Sequence, residues 1–218
     1  SLGETHAWVE AFVPARIEVH AEPDRARYGP GEKSRISIAG RYLFDQPASG
    51  LELALTGAHV RTPFTAAAYP GFAFGLTETD KEEAIAEIKG KLDDSGKAMI
   101  DLPPPRSTRS GVWRTTVSAT VTETGGRSVS ATTTMNFDTA GRHLGLRLPA
   151  GVIPVGTEIS LDWAIVAGDG VAAAFAPIRF KLVRLEGDAS LEMVQGRPVW
   201  KWIEHEVDPT EWTVDSGD

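Results

Sequence analysis

The chain has 218 residues, 41% of them apolar, enough to bury one large core or two ordinary ones. Lys and Arg number 22 against 30 Asp and Glu, a net charge of −8 with no basic run, which argues against nucleic acid or an anionic membrane surface as partner. Cys is absent, which excludes disulfides, thiolate nucleophiles and thiolate metal sites together.

Residues 1–13 are short and mixed and are expected to be a linker or the tail of a preceding domain. The chain opens Ser1-Leu2-Gly3-Glu4 without a basic and then apolar leader, the beginning expected of a piece excised from something longer. No apolar run approaches the roughly 20 residues of a helical membrane span, so no membrane insertion is expected. Ile17, Val19 and Ala21 alternate with Arg16, Glu18 and His20, the period of two of a strand with one buried face. Pro23 to Gly31 is a loop. Ile36, Ile38, Tyr42 and Phe44 then share one parity against Arg35, Ser37 and Arg41. After Asp45-Gln46-Pro47-Ala48-Ser49-Gly50, a turn sequence, Leu51, Leu53 and Leu55 resume the alternation, and the two strands are expected to form half of one sheet face.

His59 to Tyr69 is less patterned, and Tyr69-Pro70-Gly71-Phe72 is a turn into a short apolar strand. Thr79 and Glu82 fit a capping box, and Ile85, Ile88 and Leu92 fall at i, i+3 and i+7, which predicts a helical turn or two near 79–86. A strand reading competes, because Ile88, Gly90 and Leu92 also alternate. Asp93-Asp94-Ser95-Gly96 is expected to close a hairpin into Ala98-Met99-Ile100, ended by Pro103-Pro104-Pro105. The clearest hairpin follows. Trp113, Thr115, Val117, Ala119 and Val121 face inward, Gly125-Gly126 turns the chain, and Val129, Ala131, Thr133, Met135 and Phe137 continue the inward face.

Asp138-Thr139-Ala140-Gly141 is the boundary this patterning favours. Beyond it Leu144, Leu146 and Leu148 alternate, then Ile159, Leu161, Trp163 and Ile165, then Ile178, Phe180 and Leu182. In the last strand Val199, Ile203 and Val207 oppose Trp200 and Trp202. The expected fold is all-β: two tandem antiparallel immunoglobulin-like β-sandwiches over 14–138 and 142–218, with at most one short helix near 79–86. The second block has only about 80 residues against the ~100 of an ordinary seven-stranded sandwich, so it is either trimmed or completed by strands outside it.

No pattern of residues makes an enzyme. His6, His20, His59, His143 and His205 are scattered, with no HxxxH or HExxH spacing, and are expected to be surface or packing residues, not metal ligands. Gly168-Asp169-Gly170-Val171-Ala172-Ala173 matches a dinucleotide fingerprint, but Pro177 and the alternating 178–182 run leave no room for the helix that would meet a pyrophosphate. A hairpin turn is expected there, and no cofactor site is assigned. Trp200 and Trp202, with Tyr69 and Phe72, are the candidates for an interdomain or binding surface, since large amphipathic rings favour such borders.

Some wording is more specific than its periodicity. Tyr42-Leu43-Phe44-Asp45-Gln46-Pro47-Ala48-Ser49-Gly50 resembles the Tyr-Leu-Phe/Tyr-Gly-x-Pro-x-x-Gly turn of macroglobulin-like domains of the α2-macroglobulin family, its bacterial branch especially, with Asp45 where Gly is more usual. Phe12 to Val19 resembles the strand ahead of that turn, Tyr28-Gly29-Pro30-Gly31-Glu32 its Pro-Gly-Glu lead-in, and Glu123-Thr124-Gly125-Gly126-Arg127 the Glu-x-Gly-Gly-Arg of the closing hairpin. The resemblance extends over nearly the whole chain. It implies two consecutive macroglobulin-like sandwiches, ahead of the bait-bearing region of a very large protein that traps endopeptidases once they cut its bait. The family's Cys-Gly-Glu-Gln thioester cannot lie in a chain without Cys, and no bait segment is apparent. The implied role is scaffolding without catalysis or cofactors. The implied partners are target endopeptidases, reached through the full-length parent, and neighbouring macroglobulin domains. The implied setting is the periplasm, with the parent a lipoprotein anchored to the inner membrane. Two further classes stay open: a protein-binding immunoglobulin-like module using the segment 57–87, and a carbohydrate-binding one using Trp200 and Trp202.

Overall fold

Period-two patterning governs most of the computed structural model, which describes residues 16–75, 82–106, 110–154, 156–174 and 177–214. The described residues form strands and no helix. In chain order they are β1 (Ile17–Pro23), β2 (Arg27–Tyr28), β3 (Ser34–Tyr42), β4 (Glu52–Thr62), β5 (Ala73–Phe74), β6 (Glu83–Lys91), β7 (Lys97–Leu102), β8 (Val112–Thr122), β9 (Ser128–Asp138), β10 (Arg142–Arg147), β11 (Asp162–Ala167), β12 (Ile178–Val194) and β13 (Arg197–Val214). By contact the chain divides into two compact units, the first ending at Val171 and the second starting at Ala172.

The first unit is built on a sandwich. A three-stranded sheet, β1-β3-β7, faces a five-stranded one, β2-β9-β8-β4-β6. Ile17, Ile36 and Ile38 from the first sheet meet Leu53, Leu55, Val117, Val121, Met135 and Phe137 from the second in one hydrophobic cluster. The β8–β9 hairpin has the expected register, Trp113 opposite Phe137 and Val121 opposite Val129. Its turn closes through Gly126 N–H donating to Glu123 C=O, with Gly126 at φ 82°.

Three local expectations are corrected. Strands β3 and β4 belong to facing sheets, so the Pro47–Gly50 segment is a corner between layers and not a hairpin loop. Buried Ala48 fills that corner, and its N–H donates to Gly40 C=O. The Asp93–Gly96 turn likewise carries the chain from β6 in one sheet to β7 in the other. Asp93 Oδ1 accepts from the N–H groups of Ser95 and Lys97, and Gly96 C=O accepts from Gly40 N–H, which pins the crossover to β3. Finally, the helical turn expected near 79–86 is a strand from Glu83 onward, while 79–81 lie outside the described residues. A β-bulge misled the periodicity. Between Leu55 and Gly57 of β4, strand β6 carries one extra residue, so Ile85 and Ile88 both turn inward at a spacing of three.

A smaller sheet, β11-β10-β5, completes the first unit around a second cluster of Phe64, Ala66, Phe74, Val112 and Val166. Of the segment 57–87, which the sequence offers as an exposed binding surface, Phe64, Ala66 and Phe74 are buried in this cluster, while Ile85 belongs to the first cluster and His59 is buried edge-on to Phe137.

The second unit is a two-stranded ribbon of β12 and β13. Gln195 and Gly196 both have positive φ, 51° and 77°, which is the primed turn that matches strand twist. Beyond the turn, Leu191 pairs with Trp200 and Ala189 with Trp202 on one face, while Glu192, Ser190 and Asp188 share the other with Val199, Lys201 and Ile203. A bulge at Asp208-Pro209 then shifts β13 by one residue. Trp212 has the sequence parity of Trp200 and Trp202, yet it joins Phe180 on the opposite face, rings 5.4 Å apart.

Candidate functional site

The best-built polar site lies at the end of β9, where the first cluster gives way to the second. Asp138 is the last residue of that strand, and its side chain turns back over the next three residues. Oδ1 accepts from the N–H groups of Ala140 (3.1 Å) and Gly141 (3.0 Å), an Asx-type turn that closes with Gly141 at φ 69°. A carboxylate can only accept, so the nearby His143 ring carries its proton on Nε2, which lies 3.1 Å from Oδ1 and 3.0 Å from Oδ2. Arg27 of β2 donates from Nη2 to Oδ2 at 3.0 Å. The Asp138 and His143 side chains are almost wholly buried, while Arg27 is partly open to solvent.

Ring contacts complete the arrangement. His143 lies flat on Phe64, and the Arg27 guanidinium stands 5.7 Å from the centre of the same ring. Gly168, in the turn after β11, is packed so closely that a Cβ there would collide with Asp138 Oδ2. Burial pushes the Asp138 carboxyl up, but the His143 hydrogen bond, the Gly141 N–H and the Arg27 guanidinium outweigh it and hold the group at about 2. The site therefore carries a fixed carboxylate saturated by donors. Such a group orders the chain around it and has no free lone pair aimed at a substrate. Among the described residues no set of three or more His, Asp or Glu side chains converges as metal ligands would.

The residues singled out in the sequence fall elsewhere. Tyr69 and Phe72 meet edge to face at 5.6 Å and pack half-buried beside Phe74, with Arg147 over the Phe72 ring at 5.1 Å. Trp200 and Trp202 belong to the second unit, on the apolar face of the ribbon, and are 71% and 64% exposed. Gly168-Asp169-Gly170 is the hairpin-type turn expected, closed by Gly170 N–H donating to Ala167 C=O.

With this geometry in place, a family model, the bacterial alpha-2-macroglobulin MG5 domain, matches residues 15–138, more than half of the chain. The chain belongs to that family. Its MG5 match ends at Asp138, the residue that anchors the site. The alpha-2-macroglobulin of Escherichia coli strain K12 is 22% identical, over 91% of this chain and 12% of the relative. Among solved structures, the native conformation of the E. coli protein is similar at a TM-score of 0.64 and 18% identity, over 96% of this chain and 14% of that one. Salmonella alpha-2-macroglobulin reacted with methylamine gives the same TM-score and identity, over 96% and 15%. The E. coli protein activated by porcine elastase is similar at 0.64 and 22%, over 94% and 19%. At these identities the structural likeness is one of fold. The MG5-family chain thus spans a small part of each of these relatives.

Proposed function

We propose that the chain is a non-catalytic scaffold segment of a longer bacterial macroglobulin that restrains endopeptidases through bait cleavage and rearrangement. The observation that carries this reading is the match of 15–138 to a bacterial MG5 domain, with fold likeness continuing over 96% of the chain. Two macroglobulin-like blocks, 14–138 and 142–218, meet in this reading at Asp138–Gly141. In support, Leu144, Leu146, Trp163 and Ile165 share the face of β10 and β11 opposite to buried His143 and Val166, and all four stay at least partly open. That surface is one that a neighbouring domain of the parent would cover. A two-stranded ribbon cannot bury its own side chains, so covering it falls to neighbouring domains of the parent. Target endopeptidases reach the system through that parent, in the periplasm, from an inner-membrane lipoprotein.

The test uses the full-length parent challenged with several endopeptidases of different specificity. Cleavage at a confined site, followed by a change in shape and protection of large substrates, is the expected result. A parent that is neither cut by any of them nor limits their activity would end the inhibitor reading. The 218-residue chain alone is expected to inhibit nothing.

A further inference from the structure

Two hydrophobic clusters lie in the first unit, and they do not merge. One holds Tyr28, Trp113, Met135 and Phe137, and the other Phe64, Phe74, Val112 and Val166. The seam between them is polar, and the Asp138 carboxylate stands in it. Its donors come from different bodies. Arg27 belongs to β2, hydrogen-bonded along β9 of the sandwich, whereas His143 belongs to β10 of the small sheet. The backbone of Gly168, just past β11, closes against the same carboxylate. Thr139 adds a backbone tie, its N–H donating to Gly111 C=O at 2.9 Å ahead of β8.

We propose that this cluster is a latch: Arg27, Asp138 and His143 fasten the β5-β10-β11 sheet to the sandwich, and their release frees that sheet while the sandwich stays folded. The apolar part of that attachment is small: Phe74 of β5 and Val166 of β11 pack with Phe64 and with Val112 of β8. Within the small sheet, Gly145 of β10 leaves the space that the Phe74 ring of β5 fills. The charged hydrogen bonds reinforce the apolar contact with the sandwich, and they are lost together when the carboxylate goes. The sandwich retains its own continuous core without them. Latched, residues 139–171 move with the MG5 domain as one body; unlatched, they do not. This assignment stands on contacts within one compact unit and does not depend on the inhibitor reading.

Hydrogen exchange of the whole chain, resolved by peptide, tests it with Asp138→Asn. Exchange in 142–147 and 162–167 is expected to rise at least ten-fold, with 52–62 and 112–122 unchanged. Equal acceleration in both regions, or none in either, overturns the latch. Should Asp138→Asn fail to fold, Arg27→Met removes only the partly exposed partner and decides the matter. A selective rise of about three-fold or more in the small sheet then supports the proposal, and a uniform or absent response overturns it.

Discussion

The His143 ring stacks on Phe64 with centroids 3.8 Å apart and planes 4° from parallel, and this holds its Nε2 on the Asp138 carboxylate. The stacking fixes the ring plane and the carboxylate fixes the tautomer, so neither partner can reorient without losing the other.

Acid stability should show Asp138 directly. Its folded pKa is about 2 against 3.8 for an ordinary Asp, so the group stabilises the fold above pH ~4. That contribution is lost as the pH falls through 2. At about 1.36 kcal/mol per pH unit the difference is worth roughly 2 kcal/mol. Urea denaturation of the wild type and Asp138→Asn at pH 7 should differ by about that amount, and the gap should close near pH 2. A gap independent of pH would show that the ionised carboxylate is not the source.

His59 offers a second titration with the opposite charge. Burial pushes its imidazole below the usual range, and Thr115 Oγ1 lies within hydrogen-bond distance of Nδ1, at 2.7 Å. With a depressed folded pKa, its stabilising contribution is complete above the ordinary value of 6.5 and falls away as the pH drops. Its ring signals in NMR should therefore show no titration step near pH 6.5. Thr115→Val should cost about 1–3 kcal/mol by leaving a buried ring nitrogen unpaired. An ordinary titration curve for His59 would contradict the first expectation, and a neutral Thr115→Val the second.

Glycines separate a crowded crossover from an open turn. Gly96 has φ 73°, and a Cβ on it would stand 2.5 Å from Gly40 C=O, a backbone atom that cannot step aside. Gly125, at the β8–β9 turn, has nothing within 4 Å. Gly96→Ala should destabilise by about 2 kcal/mol or more, and Gly125→Ala should stay within about 0.5 kcal/mol. Thermal melts of the two variants check this, and equal shifts would show that the crossover is not tight.

How much of this was legible in the sequence depended on whether one strand face alone met a core. The β8–β9 hairpin could be read residue by residue, because Thr and Ser fill its outer positions and apolar residues its inner ones. β10 could not. Leu144 and Leu146 alternate convincingly, yet the structure buries His143 and Gly145. That face accepts two aromatic rings and a carboxylate, which need a flat partner and an empty space more than an aliphatic side chain. Asp138-x-x-Gly141 followed by His143 was the available signal, since Asx turns name themselves by that spacing, but the donor from Arg27 is 111 residues away. The i, i+3 spacing of Ile85 and Ile88 failed for another reason, a bulge that periodicity counts as a helix. The resemblance at Tyr42–Gly50 survived both failures because it rests on turn chemistry. Asp45 takes φ 72° where the family more often has Gly, and it pairs with Arg41.

The ribbon supplies the last prediction. Leu191, Met193, Trp200 and Trp202 stand open on one face. The far face carries polar contacts such as the ion pair of Lys201 with Glu192. Exposed side chains contribute little to folding, so Trp200→Ser and Trp202→Ser should each change the stability of this chain by no more than about 0.5 kcal/mol. Acrylamide should quench both indoles efficiently, read as the loss of quenchable fluorescence in each variant. In a longer parent whose neighbouring domains cover the ribbon, the same residues should be shielded from acrylamide. Each substitution should then cost about 3–5 kcal/mol, as for truncation of a buried Trp. Equal quenching in chain and parent would mean that the apolar face stays bare in both, and that the ribbon is not part of a second core.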